Sequence, residues 1–266
     1  MYHTKIRLND VRNVYDGPEG VLWELVMGEQ IHAGGWKSSM ELAKRAGIKK
    51  GDYGIDLCSA LGAGCRFLVK NFGTTMVGLD ATGTMLRKAR LRARKEGFAD
   101  RIKFRKGDVT DIPFGAESFD FVWGEDAWCY VVEKPLLIQE AVRILKPGGT
   151  IAFTDWLEGP AGLSENDAAR FNGFMKFPNV ESLTGYRKLL ESAGCDIIEA
   201  TDLTPEFAGL IDLYLQMLDQ QLTFDALKII GDDMELFAAM AGEMMNMSRL
   251  AHEGKIGRGR FIAKKK

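Results

Sequence analysis

The sequence has few cysteines and histidines, and both kinds are scattered along the chain. Cys58, Cys65, Cys129 and Cys195 form no Cys-x-x-Cys pair, and the three histidines stand far apart. Structural zinc sites and disulfide frameworks need such residues at close, regular spacings. The sequence therefore excludes both kinds of site, and we expect reduced thiols and no metal.

The chain also lacks an excess of charge and a long apolar run. Its 35 Lys and Arg residues nearly balance 37 Asp and Glu residues, which gives a net charge of −2. Nucleic-acid binding depends on clustered cations, and a membrane span needs about 20 apolar residues in succession. The N-terminus carries no apolar signal core. We therefore expect a cytoplasmic protein, monomeric or homodimeric, that binds neither nucleic acid nor membrane.

What the chain does contain is enough apolar material for one large core, since 46% of its 266 residues are hydrophobic. Short apolar runs alternate with segments of helical periodicity. The candidate strands cover residues 54–57, 75–79, 102–105, 119–123 and 150–154, with two more near 196–200 and 259–264. This alternation predicts an α/β fold with βαβ units on a doubly wound, mostly parallel seven-stranded sheet.

Polar or small residues follow the carboxyl ends of five candidate strands. Ligands of open parallel sheets bind outside these ends. A carboxylate such as Asp80 can accept hydrogen bonds from both hydroxyls of a ribose, and Asp108 can meet an adenine amino group. The strand-end residues are Asp56, Ser59, Gly62, Gly64, Asp80, Asp108, Glu125, Asp126 and Asp155. Each feature alone also occurs as a helix cap or tight turn, but the ordered set predicts nucleotide-type binding.

From about Tyr15 to Lys265 the sequence resembles class I S-adenosylmethionine-dependent methyltransferases, and within them the sarcosine/dimethylglycine and phosphoethanolamine N-methyltransferases. The segments that carry the resemblance are 28–35, 56–64, 79–80, 107–108, 120–127, 145–149, 153–156 and 259–264. The resemblance implies a Rossmann-like methyltransferase fold. It also implies S-adenosylmethionine as cofactor, S-adenosylhomocysteine as product, and a small-molecule amine as substrate.

The resemblance assigns a set of cofactor-binding residues along the strand ends. They are Ile31, His32, Asp56, Ser59, Gly62, Gly64, Asp80, Ala81, Asp108, Val109 and Glu125. Residues 31 and 32 would lie near the cofactor carboxylate, and Glu125 at its methionine amino group. The loop after the first strand would line the methionine end, while Asp80 would hold the ribose and Asp108 with Val109 the adenine.

Two segments lie outside the strand-helix alternation. Residues 1–36 predict an N-terminal helical arm that closes the active site before a methyltransferase domain at 37–266. The Met-rich helical segment at about 204–255 falls between the last two candidate strands. We therefore interpret it as an insertion that covers the substrate side rather than as a separate domain.

Several positions depart from the family pattern. Cys58 and Ala60 replace glycines of the cofactor loop, which predicts weaker cofactor binding or a shifted loop. Tyr130 stands where phosphoethanolamine enzymes have a histidine, and Met175 and Phe177 stand in place of their phosphate-binding arginine and tyrosine. Because a phosphate needs cationic or hydroxyl partners, phosphobase substrates are disfavoured.

Methyl transfer from a sulfonium is an in-line displacement, so the protein mainly aligns the nucleophile with the methyl group and excludes water. We predict that Asp126 holds the amine with Tyr130 and Tyr15 as hydrogen-bonding partners; a helix cap is the alternative role for Asp126. Tryptophan faces stabilise methylated ammonium groups by ~0.5–2 kcal/mol. The predicted substrate-binding tryptophans are Trp23, Trp36, Trp128 and Trp156, each with a core role as its alternative.

Three interpretations of the function remain at this point. The first is N-methylation of a small amine, with glycine derivatives such as sarcosine and dimethylglycine favoured. The second is O- or C-methylation of a small natural product. The third is a non-catalytic protein that binds S-adenosylmethionine, which the substitutions at Cys58 and Ala60 suggest. A nicotinamide dehydrogenase is disfavoured, because its Gly-x-Gly-x-x-Gly motif would need glycine where Phe67 stands.

Overall fold

The computed structural model describes residues 2–266, which form helices on both faces of one central sheet. The strands are β1 Tyr53–Leu57, β2 Thr75–Asp80, β3 Ile102–Lys106, β4 Phe119–Glu125, β5 Leu145–Glu158, β6 Glu181–Ser182, β7 Cys195–Asp202 and β8 Ile256–Lys265. The helices are α1 Leu8–Asp16, α2 Pro18–Met27, α3 Gly35–Arg45, α4 Ala63–Phe72, α5 Gly83–Lys95, α6 Lys134–Ile144, α7 Glu165–Met175, α8 Leu183–Ser192, α9 Thr204–Gln220, α10 Thr223–Ile229 and α11 Met234–His252.

The strands of the sheet lie in the order β3-β2-β1-β4-β5-β8-β7. Strands β1 to β5 are parallel to one another, and β8 runs antiparallel between β5 and β7. The predicted doubly wound, mostly parallel seven-stranded sheet is confirmed. The two-residue β6, which pairs with the end of β5, was not predicted, because Glu181 and Ser182 carry no apolar alternation. The strand order reverses between β1 and β4, which is where open α/β sheets bind their ligands.

Each face of the sheet has its own apolar core. Residues of α6 and α8 pack on one face around Leu137 and Tyr186, and residues of α3 and α4 pack on the other around Leu42 and Leu68. Close packing also explains Gly54 in β1, since a Cβ there would lie 2.1 Å from the Phe121 ring. These two layers hold the strand ends of β1, β2 and β4 in fixed relative positions.

A third apolar cluster lies above the carboxyl ends of the strands. It joins α2 and α7 to α9 and α11, which together with α10 follow β7 in the chain and precede β8. Ion pairs also join the N-terminal segment to the helices of the sheet layers: Arg66 of α4 contacts Glu29, just after α2, at 2.6 Å, and Arg92 of α5 pairs with Glu24 of α2. The predicted arm boundary at residue 36 falls inside α3. Within residues 2–266, the helices include none long and apolar enough to cross a membrane.

Candidate functional site

A cavity of about 290 Å³ opens at the carboxyl ends of β1, β2 and β4, beneath α1 and the segment that follows α2. It brings together most of the residues that the sequence singled out. Those that line it are Tyr15, Ile31, His32, Asp56, Ser59, Gly64, Asp80, Ala81, Asp108, Val109, Glu125, Asp126 and Tyr130. Gly62 lies just behind the wall, where it caps α4 in a left-handed conformation against the Phe104 ring.

The inner end of the cavity is acidic. Asp56 is buried, and burial together with the charge of Glu125 raises the pKa of its carboxyl well above the usual range. The neighbouring Gly64 keeps this end open, because a Cβ there would lie 2.8 Å from Asp56 Oδ2 and 3.1 Å from Trp123 Nε1. Two adjacent carboxylates in a buried site favour a cationic ligand group. An ammonium group, such as that of a bound methionine moiety, fits this end.

A small network fixes the Glu125 side chain. Its carboxylate accepts hydrogen bonds from Ser39 Oγ at 2.9 Å and from the Trp123 indole N–H at 3.1 Å. His32 Nε2 lies 3.1 Å from Ser39 Oγ and 3.4 Å from Glu125 Oε1. Neither Ser39 nor Trp123 was singled out from the sequence. The period of a strand could have pointed to Trp123, since side chains two residues apart share one face.

Asp80 at the end of β2 holds the loop that follows β1. Its carboxylate accepts the backbone N–H groups of Ala60 at 2.8 Å and Thr82 at 2.7 Å, and burial raises the pKa of the acid. Each carboxylate oxygen has a further lone pair for a ligand hydroxyl. Asp108 lies at the exposed rim and accepts from the backbone and hydroxyl of Thr110.

The buried hydroxyl of Ser59 is the clearest sign of a missing partner. In the part of the chain that the structure describes, its Oγ has no hydrogen-bond partner. A buried hydroxyl without a partner is costly, so native sites usually supply one. Together with the acidic inner end and the Asp80 carboxylate, this hydroxyl fits a ligand that carries an ammonium, a ribose and further polar atoms, as S-adenosylmethionine does.

The backbone around the cavity is strained. Ile31, Cys58, Ala60 and Asp126 line it, and all four have positive φ angles, from 41° at Ala60 to 63° at Cys58. Non-glycine residues rarely adopt this region, and such strain concentrates at functional sites. Cys58 and Ala60 thus have a backbone conformation that glycine adopts at lower steric cost. The weaker cofactor binding or shifted loop expected from these two substitutions stays a prediction.

Asp126 does not have the free carboxylate that the sequence-based assignment needs. It is buried, and it accepts Arg258 Nε at 2.8 Å and the Ala33 N–H at 2.8 Å. Arg258 also donates to Thr154 Oγ1 and Ser38 Oγ. The Asp126 carboxylate therefore does not hold the substrate amine. Instead it connects Arg258 of β8 with Ala33, in the segment between α2 and α3 that covers the cavity. The capping alternative also fails, because these partners lie far away in the chain.

The two tyrosines do come together. Their hydroxyls lie 2.9 Å apart, and their rings meet edge to face with centroids 5.6 Å apart. Burial raises the pKa of both hydroxyls, which therefore stay protonated near neutral pH. Tyr15 comes from the end of α1 and Tyr130 from the 3-10 turn after β4, so the pair bridges the arm and the sheet.

The four predicted tryptophans lie elsewhere, which corrects their assignment to the substrate. Trp128 is fully buried and stacks on Phe153, and Trp156 packs against Phe171, Phe177 and Phe207.

The other two tryptophans are more exposed. Trp36 is 39% exposed and stacks on Phe67, and Trp23 packs edge to face on Phe174 beside a separate apolar cavity. Large aromatic residues near a sheet edge serve as core more readily than as ligand contacts. Trp128 and Trp156 therefore belong to the core, while Trp23 and Trp36 lie outside the lining of the cavity at the strand ends.

Comparisons with known proteins identify methyltransferases among the relatives of this chain. A family model described as a methyltransferase domain matches residues 55–153. Erythromycin 3''-O-methyltransferase of Saccharopolyspora erythraea is 31% identical over 217 residues, which are 73% of this chain and 71% of that protein. Phosphoethanolamine N-methyltransferase 1 of Triticum aestivum is 26% identical over 202 residues, 75% of this chain and 40% of that protein.

The fold is shared with solved structures as well. A candidate sarcosine dimethylglycine methyltransferase from Galdieria sulphuraria superposes with a TM-score of 0.85 at 21% identity, over 95% of this chain and 98% of that one.

Proposed function

This chain belongs to the class I S-adenosylmethionine-dependent methyltransferases, and from that premise we propose that it methylates the nitrogen of a small amine bound beside Tyr15 and Tyr130. When bound, S-adenosylmethionine supplies an electrophilic methyl group. We propose that Asp80 holds its ribose, Asp108 with Val109 its adenine, and the acidic inner end its ammonium group. The unpartnered Ser59 hydroxyl supports this assignment.

The tyrosine pair is the observation that carries the choice of nitrogen. Because burial keeps both phenols protonated, they orient a nucleophile by hydrogen bonding but cannot remove a proton from it. A neutral amine already presents a lone pair, whereas an alcohol keeps its proton until a base takes it. The Asp126 carboxylate is held by Arg258 and is a poor candidate for that base. The pair therefore suits an amine.

The charge of the cavity wall refines the substrate class. Glu29, Glu125 and Glu133 line it and, among the described residues, no Lys or Arg does, so a carboxylate on the substrate would find acidic neighbours and no cationic partner. A product that gains positive charge is favoured by the same wall and by the faces of the tyrosine rings. We therefore place amines without a carboxylate ahead of sarcosine and dimethylglycine, the glycine derivatives favoured by the sequence.

Two segments outside the sheet complete the proposal: the N-terminal arm and the helical insertion. We propose that α1 and α2 close the cavity over the bound ligands, since Tyr15 and Leu8 of α1 line it. We propose that the helices between β7 and β8 cover the acceptor side, because α9 and α11 pack with α2 and α7 above the strand ends.

O-methylation is the second candidate, and one observation favours it. The relative at 31% identity is an O-methyltransferase of erythromycin. That reaction would require a proton acceptor close to the substrate hydroxyl. A substrate panel separates the two candidates.

The test is transfer of labelled methyl from S-adenosylmethionine to matched acceptors: amines with and without a carboxylate, and alcohols of the same carbon skeleton. We expect transfer to amines, fastest for those without a carboxylate, and a rate of transfer about 10-fold or more lower in Tyr130→Phe. Transfer to alcohols alone would support the second candidate. Cofactor binding without transfer to any acceptor would contradict the proposal.

A further inference from the structure

Lys134, the first residue of α6, is a lysine with almost no exposure to solvent. Lys134 is 2% exposed. Burial of an ammonium group costs several kcal/mol unless oxygen atoms of the protein replace the water that it loses. Four oxygens do so here. They belong to Asn179 (Oδ1 at 2.7 Å and O at 2.9 Å), Val131 (O at 3.0 Å) and Cys129 (O at 3.4 Å).

A buried acid of opposite charge lies on the other side of the same turn. Asp155, at 0% exposure in β5, accepts the Cys129 N–H at 3.1 Å and the Tyr186 hydroxyl at 2.5 Å. Burial lowers the pKa of Lys134, and the charge of Asp155 opposes that change. The two ions thus stabilise one another across the turn, although each is bound chiefly by neutral groups.

Both ions act on one short piece of backbone. Lys134 holds the carbonyls of Cys129 and Val131, and Asp155 holds the Cys129 N–H. The residue between the two held residues is Tyr130, whose hydroxyl lies 2.9 Å from that of Tyr15. The backbone is therefore fixed immediately before and immediately after this side chain.

We propose that Lys134 and Asp155 are positioning residues that set the place of the Tyr130 hydroxyl in the acceptor site; the inference rests on the proposed role of the tyrosine pair. Apolar residues of similar size would avoid the cost of two buried charges, so their presence requires another reason. Fixed position is that reason, since a displacement of about 1 Å at a reacting group costs on the order of 100-fold in rate. Neither ion lines the cavity, so neither touches a substrate.

A double-mutant cycle with Lys134→Met and Tyr130→Phe tests the inference, with the exposed Lys188→Met on α8 as the matched control. We expect Lys134→Met to lower kcat about 10-fold or more and to leave the cofactor Kd within about 2-fold. In the Tyr130→Phe background it should lower kcat by less than about 2-fold, because the group it positions is gone. Equal effects in both backgrounds would overturn the inference and leave only a structural role.

A second readout needs no turnover. Near-ultraviolet circular dichroism should show a changed tyrosine band in Lys134→Met relative to the parent protein, and no such change between Tyr130→Phe and the double variant, because the band reports how firmly an aromatic side chain is held. An unchanged tyrosine band in Lys134→Met would overturn the inference even if the substrate were misidentified, whereas the expected spectral change without amine transfer would fault the proposed function alone. If Lys134→Met does not fold, Asn179→Ala removes the Oδ1 contact and is held to the same two outcomes.

Discussion

The two halves of the cavity are built in different ways. In the cofactor half, Asp56, Asp80 and Glu125 come directly at the ends of strands, and their neighbours in sequence supply much of their surroundings. In the acceptor half, Tyr15 and Tyr130 meet across 115 positions of the chain. The first half follows from local order along a parallel sheet, while the second exists only through packing of distant segments. Substitutions that affect only one half of the cavity, or the contact between the halves, therefore test this description best.

The largest effect is expected at the junction of the halves. Arg258→Met leaves the buried Asp126 carboxylate without its cationic partner, so we expect a loss of about 3–5 kcal/mol in the free energy of unfolding, measured by urea denaturation. Arg260→Met on the same strand is the control, because its partners Glu41 and Glu199 are more exposed. We expect it to cost about 1 kcal/mol. Equal losses of unfolding free energy in the two variants would show that the pair of Arg258 and Asp126 does not connect the two halves.

Next in size is the loss of a cofactor contact alone. Asp80→Ala should weaken S-adenosylmethionine binding about 100-fold, measured by calorimetry, since charge-assisted hydrogen bonds contribute about 1.5–3 kcal/mol each. Asp108→Ala, at the exposed rim, should weaken it about 5-fold. If both variants bound equally well, the ribose assignment would be wrong.

A pH-dependent effect is expected from the acid behind the acceptor half. Burial raises the pKa of Asp155 to about 6 from 3.8, so the folded protein holds this proton more tightly than the unfolded chain does. Stability from this group is present below about pH 4 and is lost as the pH rises through 6, by about 3 kcal/mol. Asp155→Asn should remove that loss in urea denaturation at several pH values. If the free energy of unfolding changed with pH in the same way in the parent protein and in Asp155→Asn, the raised pKa would not belong to Asp155.

The smallest effect should come from the strained loop of the cofactor half. Cys58 has φ = 63°, and glycine adopts this region without the steric cost of a side chain. We expect Cys58→Gly to raise the free energy of unfolding, measured by urea denaturation, by about 0.5–1 kcal/mol. Its cofactor affinity should rise by less than about 3-fold. Cys58→Ala keeps the strain and serves as the control; an equal gain there would remove backbone strain as the cause.

The same contrast explains what the sequence could predict. The strand order and the residues at the strand ends follow from periodicity and from the general place of ligands on parallel sheets. Arg258 and Lys134 could not be found in this way, because each meets its partners through the tertiary fold and carries no local signal. Trp156 was misassigned for the same reason, since only the packed structure shows that its ring is enclosed by three phenylalanines.

The most direct test of two separable halves is one variant measured twice. Tyr130→Phe should bind S-adenosylmethionine with a Kd within about 2-fold of the parent protein. Its rate of methyl transfer at saturating cofactor should fall about 10-fold or more, because the phenol that orients the amine is lost. A variant that loses cofactor affinity instead, or one that keeps its full rate, would contradict the account.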